Sequence, residues 1–193
     1  MQTATRPSSP TAPDPSSPLV ALADRTFAEV SPYAGFGFQN HCTRLFHLTS
    51  MLMEQEGVQM PSDVAYLIAM VHDLGIVSEQ DEGVNYLRRS LALFHRITAD
   101  VELPEVDPDI VTECMVYNHR VLPVPNLSAQ ANCFRRAVQI EHTRGLVRFG
   151  LPRAPVRELF RRYPRGNFDR VLLDFTVRTL RREPRTLVDG IFH

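Results

Sequence analysis

The chain has 193 residues, 44% of them apolar, and its 21 Lys+Arg positions are all arginine. That length and apolar content suit one domain with its own core, and the absence of lysine excludes Schiff-base, Ser–Lys and phosphate-loop lysine chemistry. The net charge of −1 hides a split: residues 1–130 hold 7 Arg against 16 acids (−9), residues 131–193 hold 14 Arg against 6 acids (+8).

Residues 1–17 are rich in Pro and Ser and predict a disordered leader, with the folded domain spanning 18–193. Leu19 to Val30 suits a first helix, stopped by Ser31-Pro32. Tyr33 to Phe38 reads as a Gly- and aromatic-rich loop that could form a lid. A helix from about Asn40 to Glu56 follows, with Gly57 as its stop. His41, Leu45, Leu48 and Leu52 share one of its faces. Ser62 is the expected cap of a third helix that runs to His72-Asp73 and breaks at Gly75. This helix is apolar almost all round, which marks a central position.

A fourth helix fits Gly83–Ile97, and a fifth fits Asp107–His119 with Asp107 as cap and Pro108 at the first helical position. A sixth fits Ser128–Phe149, ended by Gly150 and Pro152. Ala154–Arg162 and Asn167–Arg182 complete the series. No strand-like alternation of useful length occurs, so the expected fold class is all-α, one helical bundle.

Cys42, Cys114 and Cys133 form no paired metal or disulfide motif. No stretch reaches the ~18 apolar residues of a membrane span, and no secretory signal pattern appears at the start. A cytoplasmic protein with no membrane role is the expectation. The C-terminal arginines suit a solvated helix surface better than a nucleic-acid interface.

The doublet His72-Asp73 closes a buried apolar helix, where an ionised Asp beside a His needs a partner. A divalent ion satisfies both, and His41 on the inner face of the preceding helix adds a further ligand. Antiparallel helices of a bundle bring such groups together.

His41 followed by His72-Asp73 in "AYLIAMVHDLGI" resembles the HD-domain superfamily, over roughly residues 33 to 182. The resemblance implies an all-α bundle of the HD-domain type that holds one or two divalent ions (Zn, Mn or Fe). It also implies a metal-dependent hydrolase acting on a small, phosphate-containing anionic substrate. Related members are hydratases and diiron oxygenases, and a degenerate HD fold would serve as a non-catalytic binding module. The family's last Asp is matched by Val138 in "FRRAVQIEHTRG", which cannot bind metal. Glu141, three residues on and near the same helical face, is the expected substitute ligand beside His41, His72 and Asp73.

Asp73 and His119 are the expected acid–base pair. Arg44, one turn from His41, and Arg120, next to His119, are the expected anchors for an anionic substrate. The spacing of His95 permits a second ion, but its place near a helix end suits the surface; His142 reads as a helix-surface neighbour and His47 as facing away from His41.

Overall fold

The computed structural model describes residues 13–77, 84–182 and 184. The expected leader therefore lies mostly outside the described residues, as do Gly83 at the expected start of the fourth helix and His193. Within them the chain folds into eight α-helices and one 3-10 turn, with no strand.

Helix α1 (Pro18–Val30) starts on a proline, whose missing N–H costs nothing at that position. It packs on α3 (Ser62–Val71). Helix α2 (Gly37–Glu56) ends at Gly57, whose φ of 69° only glycine adopts freely. It lies against α3 on one side and α6 (Ala129–His142) on the other. Every residue of α3 from Val64 to Val71 is buried, as its all-round apolarity requires. Its cap position falls on Pro61 rather than Ser62, which is the first helical residue.

Helix α4 (Tyr86–Thr98) is capped by the Asn85 side chain, which accepts the Arg88 N–H. Asp107 caps α5 (Pro108–Val116) through the Asp109 N–H. Ser128 caps α6 through the Ala131 N–H. Helices α7 (Arg153–Arg162) and α8 (Phe168–Arg182) flank α2. One apolar core joins the helices. Cys42, Cys114 and Cys133 are free and buried within it.

Several elements differ from the sequence expectation: α2 starts at Gly37, inside the expected Tyr33–Phe38 loop, and α5 ends at Val116, short of His119. Helix α6 stops at His142 instead of running to Phe149, because Arg144 and Gly145 take φ of 54° and 75°. The Gly145 N–H turns back onto the Ile140 carbonyl, closing the helix. Gly75 also works differently: α3 has already ended, and the glycine sits in the 3-10 turn Leu74–Ile76. Its bare Cα lets the backbone of α4 come close. A Cβ there would lie 2.1 Å from the Tyr86 carbonyl oxygen and 2.4 Å from the Ser90 nitrogen. Gly75→Ala should therefore force this turn off α4 and cost about 2 kcal/mol or more, read as a lower denaturant midpoint. An unchanged midpoint would show that the turn carries no packing constraint.

His47, expected to face away from His41, is buried against Phe46 and Tyr163, and neither ring nitrogen has a partner. Burial, helped by the nearby Arg162, pushes it from 6.5 down to about 4. Above pH 6.5 the ring is neutral in both the folded and the unfolded chain and contributes no pH dependence. From there down to about pH 4 the unfolded chain takes up a proton that the folded chain refuses, so stability falls with pH. Replacing His47 by Phe should remove this one-proton dependence, worth about 3 kcal/mol across the window. Denaturation at several pH values reads it as a shallower acid limb; parallel limbs in the two proteins would refute the assignment.

Candidate metal centre

The buried start of α2 positions the first donor. A Cβ on Gly37 would lie 2.4 Å from Asn167 Oδ1 and 2.5 Å from the Phe168 nitrogen, so glycine lets α2 dock tightly on the start of α8. One turn later the His41 ring stacks on Phe168, with centroids 4.2 Å apart and planes within 11°. His72 occupies the C-terminal cap of α3, and Asp73 follows it into the turn. All three side chains are buried, and their donor atoms lie within 4.8 Å of one another.

The hydrogen-bond partners fix how these donors point. His72 Nδ1 is 2.8 Å from the Ala69 carbonyl oxygen, which only accepts, so Nδ1 carries the proton and Nε2 a lone pair. His41 Nδ1 faces the Glu141 carboxylate at 3.3 Å, which favours the same tautomer. The two Nε2 atoms then meet at 3.4 Å, and Asp73 Oδ2 lies 3.0 Å from His72 Nε2. Three electron-pair donors lie close enough together to hold a metal ion. Neutral imidazoles backed by outer acceptors, beside a carboxylate, are the donor set of Zn, Mn or Fe sites.

The pKa shifts report the same field. Burial works against the Asp73 carboxylate, yet the adjacent His72 and His119 hold it well below the usual carboxylate range. Burial also opposes charge on His72, but Asp73 outweighs it and raises the imidazole. At His41 burial wins over Glu141 and lowers the ring to about 4, so it remains a neutral donor at pH 7.

Glu141 is not part of the converging set, contrary to the sequence expectation. Its Oε2 accepts Arg44 Nε at 2.8 Å, and its Oε1 accepts Arg44 Nη2 at 2.6 Å and Arg165 Nη1 at 2.8 Å. With both oxygens engaged by arginines, it sits behind His41, Oε1 lying 3.3 Å from Nδ1 without hydrogen-bond geometry. Burial alone would raise its pKa, but the bonds from Arg44 and the nearby His41 bring it down to about 2.

Arg44 is corrected with it. The guanidinium is fully buried, with three of its five N–H groups bound to Glu141 and to the Tyr163 carbonyl, so it serves the interior and not a substrate at the surface. Arg120 lies over the Tyr117 ring, 5.7 Å from its centroid, and makes no described contact with the cluster. Val138 is buried in the core. His95 is exposed on α4, away from the centre.

His119 does join the site. Its Nε2 lies 3.0 Å from Asp73 Oδ1, and its side chain retains 13% exposure, so it faces both the cluster and solvent. His142 was missed. Its ring stacks with those of His119 and His41, with centroids 5.5 and 6.2 Å apart. It is solvent-accessible on its outer side, while close packing, then His119 and His41, lower its pKa. The sequence signal was available: His142 follows Val138 by four residues, a better match to one helical face than the three-residue step to Glu141.

The arrangement thus places three buried donors beside His119 and His142, both of which reach solvent. Among the described residues no helix is long and apolar enough to cross a membrane. No family model, curated protein or solved structure matches the chain.

Proposed function

We propose that the chain is a metal-dependent hydrolase of the HD-domain type, a cytoplasmic enzyme acting on a small phosphate-bearing substrate. The observation that carries this reading is the convergence of His41 Nε2, His72 Nε2 and an Asp73 oxygen on one point. The His72 tautomer is fixed by the Ala69 carbonyl, and His41 Nδ1 faces the Glu141 carboxylate. A bound Zn, Mn or Fe ion would polarise a substrate oxygen and acidify a water. Asp73 Oδ1 accepts the His119 Nε2–H, which leaves Nδ1 as the nitrogen that can take up or return a proton. His119 then takes a proton from water or returns one to the leaving group. His142 stacks on His119 beside the cluster, and Phe168 and Phe134 pack against the His41 and His72 rings.

A second reading, hydration of a small uncharged substrate by the same centre, is favoured by the capture of Arg44 in an internal ion pair. Without that guanidinium the cluster holds less positive charge for an anion.

The test is metal analysis after expression with Zn, Mn and Fe supplied, followed by assays for phosphate release from small phosphate esters and for hydration of nitriles. About one ion per chain and phosphate release support the first reading. Metal with hydration alone supports the second. Less than ~0.1 ion per chain would overturn both, since a closed protein site retains its ion, and would leave a binding module.

A further inference from the structure

We propose that the arginine-lined pocket between the end of α6 and α7 binds a small organic phosphate, at a site separate from the metal centre. The pocket has a volume of about 660 Å³, within the range of small-molecule sites. Arg148, Arg153, Arg157 and Arg165 line it, together with Val156 and Phe160 on the α7 face, and no carboxylate does.

The arginines differ in how they are neutralised. Arg144, also at this pocket, pairs with Asp169, and Arg165 is shared between Asp169 and Glu141. Arg148 donates only to the carbonyl oxygens of Gly145 and Leu146, and its buried Nε has no partner. Arg153 and Arg157 are exposed and take part in no described ion pair or hydrogen bond. Arg161, one turn further along α7, is by contrast held by Glu158.

Local physics disfavours this placement. Arg153 is the first residue of α7, where the helix dipole repels a cation, and no side chain caps that end. Arg157 follows it by four residues, so two like charges share one face. Local rules broken together at a concave site mark a place shaped for a ligand. Guanidinium groups grip phosphate oxygens in pairs. A phosphate monoester, with a charge of roughly −2, offsets most of the uncompensated charge of Arg148, Arg153 and Arg157. Val156, Phe160 and the exposed Leu146 offer an apolar wall for a flat or aliphatic body.

The site lies on the far side of His41 from the metal point. His41 turns Nε2 towards His72 and Nδ1 towards Glu141, and Arg165 stands between Glu141 and the pocket.

Titration calorimetry of the full chain, with chelator present, tests the proposal with phenylphosphonate, inorganic phosphate and a short single-stranded oligonucleotide. Phenylphosphonate has no ester bond to cleave. It should bind once per chain and more tightly than inorganic phosphate. The variant Arg153→Ala/Arg157→Ala should weaken it at least about tenfold, the loss of one or two charge-assisted hydrogen bonds. Arg161→Ala and His72→Ala should bind as the parent does. Three results would overturn the site: no saturable binding of phenylphosphonate, affinity unchanged in the double variant, or tighter, steeply salt-dependent binding of the oligonucleotide.

Discussion

His72→Ala should leave the purified protein with less than ~0.1 metal ion per chain and with background activity. The side chain supplies one of three converging donors, and Ala69 already fixes which nitrogen it presents. Without it, His41 and Asp73 remain as two donors, too few to retain a divalent ion against dilution. Asp73→Asn should give the same loss by another route, because it removes the anionic charge while keeping the size of the side chain. Since Asp73 Oδ1 also holds His119, Asp73→Asn should in addition flatten the pH–rate profile of any residual activity. Thermal melts with chelator present separate this outcome from misfolding: each variant should melt cooperatively as an apo protein, while only the parent gains stability on metal addition. Parent-like metal content in either variant would move the centre elsewhere.

Most of the helices were legible because local signals and burial agree. The apolar run Val64–Val71 is buried throughout, and Asp107 and Ser128 cap the helices that they introduce. The end of α6 was misread because Gly150 and Pro152 are strong stop signals, whereas the earlier stop at Arg144-Gly145 needs a non-glycine residue at positive φ.

The core of the site was legible from charge buried in an apolar context, which picked out His41, His72 and Asp73. The roles of Glu141 and Arg44 were not. Each lies on the face that the helical period predicts, but a period gives direction and not depth. Arg44, a turn from His41, meets Glu141 before it can reach a substrate. Pairing between α2 and α6 decided that, and no spacing within either helix carries it.

This pairing sets the second large effect. Glu141→Ala should cost about 3–5 kcal/mol at pH 7, because Arg44 would remain fully buried with only the Tyr163 carbonyl as acceptor. Arg165 is less affected, since it keeps Asp169 and reaches solvent. The pH dependence carries a matching signature. Glu141 titrates near 2 when folded and near 4.5 when unfolded, so its stabilisation is complete above pH 4.5 and drains away as pH falls towards 2. The variant should lack that part of the acid limb. A loss under about 1 kcal/mol at pH 7 would mean that Arg44 finds water on its own. Arg44→Met/Glu141→Leu separates stability from positioning. Two apolar residues of similar volume remove both charges together and should restore much of the stability lost in Glu141→Ala. They cannot orient His41, so metal affinity should still be about 10–100-fold below the parent, the usual effect of losing an outer partner of a ligand histidine. Stability recovered without metal affinity would identify the Glu141–Arg44 pair as a device that aims His41, retained at the expense of burying two charges.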